Sequence, residues 1–112
     1  MERVLIKVYA AFHPVERACV EAVRQAGAGA VSDEAEAWLA HENSMLRISF
    51  AGLYFPEEEV LDALKKGLSP QAEGKIDVLD IEAWELRRVS FAQGAVTEMR
   101  RGLNNILEYS SH

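Results

Sequence analysis

Apolar residues alternate with period two over residues 3–12, RVLIKVYAAF. Val4, Ile6, Val8 and Ala10 fall on one side, and Leu5, Lys7 and Tyr9 on the other. This predicts a first strand with one dry face and one mixed face. The period then changes. Over 14–26, PVERACVEAVRQA, Val15, Ala18, Cys19, Ala22, Val23 and Ala26 recur at helical spacing. They predict a helix with Pro14 in its first position and Gly27 as its C-terminal cap. GAGA at 27–30 reads as a connector, because it lacks the spacing of a dinucleotide-binding loop and follows a helix instead of a strand.

Residues 33–41 admit two readings. Asp33 and Glu36 are spaced to cap a short helix. The other reading is a hairpin with strands 34–40 and 45–51 around the turn HENS. With His41–Ser44 as the loop, Ala40 faces Met45, Leu39 faces Leu46, Ala37 faces Ile48 and Ala35 faces Phe50. Trp38 then meets Arg47, and Glu36 meets Ser49. One register makes a whole face apolar and sets an indole beside a guanidinium, so the hairpin is the expectation.

A second helix is predicted over 56–67. Pro56 opens it, Glu57, Glu58 and Glu59 sit at its positive end, and Lys65 and Lys66 precede Gly67. The helix dipole accounts for the three glutamates more simply than a metal does. Val60, Leu61, Leu64 and Leu68 supply its buried stripe. A loop over 68–74 leads to a strand over 75–83, where Leu79, Ile81 and Ala83 share one face and Asp80, Glu82 and Trp84 the other. The apolar phase changes near Val78–Leu79, which predicts a bulge or bend. The tail, WELRRVSF-AQG-AVTEMRR, reads as a second hairpin with a three-residue loop and Gly94 in the left-handed position, followed by a short helix near 103–109. Its alternative is one long helix through Val96, Met99, Leu103, Ile106 and Leu107, which Gly102 weakens.

Strand, helix, strand, strand, helix, strand is the order of an α+β, ferredoxin-like βαββαβ sandwich. The expectation is one domain over 1–112, with an antiparallel sheet, two helices on one face and a C-terminal hairpin/short-helix appendage. In that topology the second and fourth strands are the sheet edges. EAEAW (34–38) and DIEAW (80–84) would then lie on opposite edges, their acids and tryptophans on the open face beside Lys7, Tyr9 and Arg47. Glu34 and Glu36 would stand near Arg47, and Asp80 and Glu82 near Lys7. Such acidic combs serve either to guard the edges against strand pairing or to form a contact surface anchored by Trp38, Trp84 and Tyr9.

Charge sharpens the second reading. The net charge of the 112-residue chain is −6, and residues 33–85 hold thirteen acids against Arg47, Lys65, Lys66 and Lys75. That segment repels phosphates and anionic lipid and attracts a basic protein surface. Basic residues interleaved with aromatics, as an RNA-binding sheet needs, are absent. No apolar run approaches membrane-spanning length, and the N-terminus reads as a strand and not a signal peptide. Cys19, the only cysteine, excludes an intramolecular disulfide and a thiolate cluster, and its place in the apolar stripe predicts a buried, inert thiol. The expected compartment is the cytoplasm.

No nucleophile, base and acid stand at a recognisable spacing. His13, His41 and His112 read as solvated or capping residues, and the pairs Glu34/Glu36 and Asp80/Glu82 have no visible cause for shifted pKa values. No catalytic residue, metal ligand or cofactor is therefore assigned, and the chain reads as a non-enzyme. The expected function is a small acidic protein-binding module, an inhibitor or immunity-type protein against a basic toxin or nuclease. This is an analogy with other small, acidic, single-domain inhibitors. Its contact surface would comprise Glu34, Glu36, Trp38, Glu42, Asp80, Glu82, Trp84 and Glu85. The alternative is a ferredoxin-like sensor or enzyme subunit that forms a homodimer through its open face and binds a small ligand at the seam.

Overall fold

The computed structural model describes residues 4–28 and 38–103. The elements are β1 (Ile6–His13), α1 (Arg17–Ala28), β2 (Leu39–Glu42), β3 (Met45–Gly52), α2 (Glu57–Gly67), β4 (Glu73–Asp80), β5 (Glu85–Ala92) and β6 (Ala95–Gly102). The six strands form one sheet in the order β2-β3-β1-β4-β5-β6, antiparallel at every step. The class is α+β. Strand number and order differ from a simple four-stranded βαββαβ sandwich, because β5 and β6 extend the sheet beyond β4 and leave β6 at the edge.

The alternation expected in β1 is present: Val8, Ala10 and Phe12 are buried and Tyr9 and Ala11 exposed. Their inward face meets Leu46 and Ile48 of β3, Ile76 and Val78 of β4, and Val89 and Phe91 of β5. The helices cover this face with Cys19, Val20 and Val23 of α1 and Val60, Leu61 and Leu64 of α2. The α2 reading holds, with Glu57, Glu58 and Glu59 in the first turn and Lys65 and Lys66 in the last. In α1 the phase differs. The helix begins at Arg17, and its buried stripe runs through Cys19, Val20, Val23 and Gly27, while Ala18 and Ala22 are exposed. The cause lies in the lead-in. The Val15 amide donates to the Ser44 carbonyl at 2.7 Å, and His41 Nε2–H donates to the Val15 carbonyl at 2.9 Å. Val15 is thus bonded to the β2–β3 hairpin and stands outside the helix.

That hairpin turns on two residues. Asn43 and Ser44 have φ of 51° and 65°, the left-handed pair of a type I′ turn. The register is therefore Leu39 with Ile48, Ala40 with Arg47 and Glu42 with Met45, two residues away from the four-residue loop expected. A slip of two preserves the face of every side chain, so Leu39 stays in the core. Trp38 does not meet Arg47. It lies in a 3₁₀ turn ahead of β2, only 7% exposed, with its ring edge-to-face against Phe55 at 5.8 Å. Gly27 is buried within α1 and is not its cap. A Cβ there would stand 2.6 Å from Trp38 Cη2, so the helix approaches the indole only because position 27 carries none. Residues 34–37, with their expected pairs, lie outside the described residues.

β4 keeps one phase to its end, with Ile76 and Val78 inward and no bulge at Val78–Leu79. Ile81–Trp84 are a turn and not the end of a strand. The tail hairpin is present, but its loop is the two residues Gln93 and Gly94, both at positive φ, instead of three. The helix expected near 103–109 lies, from residue 104 on, outside the described residues.

The Gly27–Trp38 contact yields a stability prediction. Trp38→Ala should cost about 3–5 kcal/mol. Gly27→Ala should cost about 1–3 kcal/mol, although alanine is the better helix former, because the indole has Phe55 behind it. Urea unfolding monitored by circular dichroism checks both, and a stabilised Gly27→Ala variant would contradict the packing.

Candidate interaction surface

Strand parity decides where each charge points. On the open face, Tyr9 lies between Ser49 and Asp77, Lys7 between Ala51 and Leu79, and Ala11 between Arg47 and Lys75. Asp77 faces Arg88 of β5 and accepts two bonds from its guanidinium, at 2.7 and 2.9 Å. This bond holds the Arg88 pKa above its ordinary value against the opposing effect of burial. Lys7, Arg47, Lys75, Arg88 and Arg101 fall on this face against Glu42, Glu73 and Asp77. The open face is thus mainly basic, and the acidic excess of residues 33–85 is displayed elsewhere.

The expected contact residues separate accordingly. Glu34 and Glu36 lie outside the described residues. Trp38 is a core residue, not an exposed anchor. Its place in a 3₁₀ turn frees its side chain from strand alternation, and Gly27 makes the room. Glu42 is exposed at the far end of β2, lining a shallow cleft of about 330 Å³ with His13, Asn43, Met45 and Arg47. Asp80, Glu82, Trp84 and Glu85 remain together, but not on the open face beside Lys7. Asp80 is opposite Ile6 and Glu85, on the parity of the helix-covered side, and its Oδ1 accepts the Ala83 amide at 2.8 Å. That bond closes the turn carrying Glu82 and Trp84, both exposed. Trp84 has φ 57°, a left-handed conformation unusual for a bulky side chain.

At this end of the sheet several elements meet. The Leu5 amide donates to the Gly52 carbonyl at 2.9 Å, Ile81 to Leu5 at 2.8 Å, and Leu103 to Trp84 at 2.9 Å. Val4, the Leu53–Tyr54 segment, the Ile81–Trp84 turn and the N-terminus of α2 therefore share one end. Val4 (38% exposed), Leu53 (63%), Tyr54 (57%) and Trp84 (42%) are four of the six exposed large apolar side chains among the described residues. Glu57, Glu58, Glu59, Asp80, Glu82 and Glu85 belong to the same end.

One partly buried cation organises part of it. The Arg87 guanidinium, 12% exposed, donates to Glu58 Oε1 at 2.7 Å and to Glu98 Oε1 at 2.8 Å, with Glu57 Oε1 at 3.5 Å. Burial works against this charge, yet the bonds to Glu98 and Glu58 outweigh it and hold the Arg87 pKa above its ordinary value. Arg87 also holds the Glu98 carboxyl below its ordinary range. Leu53, Tyr54 and the Arg87 cluster were not singled out from sequence. The tripeptide Glu57–Glu59 was the available signal, but its partner is far along the chain.

Among the described residues no three His, Cys, Asp or Glu side chains are grouped to hold a metal ion, and no helix is long and apolar enough to cross a membrane. Comparison with protein-family models, curated proteins and solved structures returned no match.

Two outcomes follow from these environments. Cys19 is 3% exposed in the α1–α2 interface, and burial, followed by the charge of Glu16, raises its pKa. A thiol reagent should label it slowly in the native protein and rapidly in denaturant; fast native labelling would contradict this burial. Glu98 has a depressed folded pKa, so its contribution is present above the unfolded value and lost as pH falls through the folded one. The stability difference between wild type and Glu98→Gln should therefore shrink from neutral pH to below about 4, as urea unfolding at several pH values would show.

Proposed function

We propose that the chain is a small acidic protein-binding module, an inhibitor or immunity-type protein acting in the cytoplasm on a basic enzyme partner such as a toxin or nuclease. The module binds no nucleic acid, membrane or cofactor. Its scaffold is a ferredoxin-like βαββαβ unit to which the β5–β6 hairpin adds two strands. The observation that carries the reading is the clustering of Val4, Leu53, Tyr54 and Trp84 with exposed carboxylates at one end of the sheet. Large side chains in a polar setting are the composition of interface anchors, and carboxylates around them steer a basic partner into contact. The contact surface accordingly keeps Asp80, Glu82, Trp84 and Glu85, adds Leu53 and Tyr54, and leaves Trp38 in the core.

The left-handed backbone at Trp84 fits this role. Such strain costs on the order of 1–3 kcal/mol in a non-glycine residue and favours sites where a side chain must be presented. The alternative, a sensor or enzyme subunit paired through its open face, sets two mainly basic faces against each other, which disfavours that seam.

The experiment is capture of the partner from the native host, followed by binding kinetics at low and high salt. Glu82→Gln with Glu85→Gln should slow association, most strongly at low ionic strength, because these carboxylates act at long range. Trp84→Gly removes the indole while allowing the left-handed backbone. It should shorten the lifetime of the complex while the variant still unfolds cooperatively in urea. An acidic partner, or an association rate indifferent to salt and to these carboxylates, would overturn the proposal.

A further inference from the structure

β6 is an edge strand that carries charged side chains but has no break in its backbone to prevent pairing. It runs eight residues in unbroken register with β5, contains no proline or bulge, and has no strand on its outer side among the described residues. In a two-residue hairpin the pair flanking the loop, here Ala92 and Ala95, exchanges both main-chain bonds. Alternation then turns the amides and carbonyls of Val96, Glu98, Arg100 and Gly102 outward. Glu98 and Arg100 lie on the helix-covered side. Arg100 stands directly opposite Arg87, and a single oxygen, Glu98 Oε1, accepts from Arg87 at 2.8 Å and from Arg100 at 3.3 Å. Two guanidiniums thus share one carboxylate oxygen at the edge, leaving Arg100 suited to a further acid.

We infer that β6 pairs antiparallel with β6 of a second copy of this chain, about a two-fold axis at Met99, joining two sheets into one of twelve strands. In this register Glu98 lies opposite Arg100 of the second copy, and Arg100 opposite its Glu98. These residues carry the outward-facing main-chain groups, so each ion pair sits on a pair of ladder hydrogen bonds. Sliding by two residues in one direction sets Glu98 against Glu98, and in the other Arg100 against Arg100. Charge therefore selects one register and makes the edge self-complementary, as a two-fold interface requires. Thr97 falls opposite Arg101 on the open face.

The register has a covalent test. Met99 would face Met99 of the second copy in a non-hydrogen-bonded pair, with Cα atoms about 4.5 Å apart, within disulfide reach. Under mild oxidation the Met99→Cys variant should cross-link into a dimer. Thr97→Cys should not cross-link with itself, because its copies stand four residues apart along the seam, roughly 13 Å. It should cross-link when mixed with Arg101→Cys. Cys19 is buried and supplies no competing thiol. In sedimentation experiments Arg100→Glu and Glu98→Arg should each weaken self-association about tenfold or more. The double swap should restore it, and it keeps a carboxylate opposite Arg87 at position 100. Wild type that remains monomeric at millimolar concentration, equal cross-linking of the Met99→Cys and Thr97→Cys variants, or a folded double swap without recovery would each overturn the inference.

Discussion

The helix-covered side of this molecule depends on where one indole is placed. Trp38 occupies the gap that Gly27 leaves on α1 and meets Phe55 at the entrance to α2. It therefore bears on both helices at once, from a position one residue before β2 begins. Phe55 in turn packs on Phe50 of β3 at 5.2 Å. Indole, two phenylalanines and a missing Cβ link the helix layer to the β2–β3 side of the sheet. Large aromatic surfaces dominate core energetics, and close-packed interiors transmit a misfit to their neighbours. The short β2 strand, with only four residues of ladder, gains from this neighbour a burial it could not supply itself. At its other end, the bonds from Val15 to Ser44 and from His41 to Val15 hold the turn against the start of α1.

The two acid–alanine–tryptophan segments share composition but not structure. One tryptophan is core, and the other stands exposed in a turn with left-handed backbone. The difference arises from what precedes and follows each residue. Trp38 leads into a strand beneath a helix glycine, whereas Trp84 ends a turn closed by the Asp80 carboxylate. A side chain in a turn is released from strict alternation, so neither tryptophan obeys the parity that a continuous strand would impose. The same consideration explains why acid content along the chain does not translate into an acidic open face. Alternation sends Asp77 outward into a pair with Arg88, while the acids of α2 and of the β4–β5 turn gather at one end.

What was legible in the sequence was governed by period. Strand β1, helix α2, the existence of both hairpins and the burial of Cys19 all follow from spacing that local geometry enforces. Register was less legible. Asn43 and Ser44 form a two-residue left-handed turn, which composition alone did not separate from the longer HENS loop, and a slip of two leaves the apolar face intact, so patterning cannot detect it. The phase of α1 was also hidden, because the bonds at Val15 come from residues 41 and 44 and not from the helix itself. Of the candidate surface, Asp80, Glu82, Trp84 and Glu85 were visible as a motif. Leu53 and Tyr54 were not, since two apolar residues between a strand and a helix look the same buried or exposed.

Arg87 shows how a charge placed by parity joins distant pieces of chain. It shares the inward parity of Val89 and Phe91, yet lies near the sheet end, where the glutamates of α2 reach it. Partial burial disfavours the guanidinium charge, and the bonds to Glu98 and Glu58 offset that desolvation. The helix dipole already favours Glu57 and Glu58 at the start of α2, so the same carboxylates stabilise the helix end and neutralise the cation. Glu98 completes the arrangement from β6 and thereby ties the added hairpin to α2. The last strand is consequently not a loose appendage. Its position is fixed by a ladder on one side and an ion cluster above, and that rigidity is what allows an exposed edge to present a defined pattern of charge.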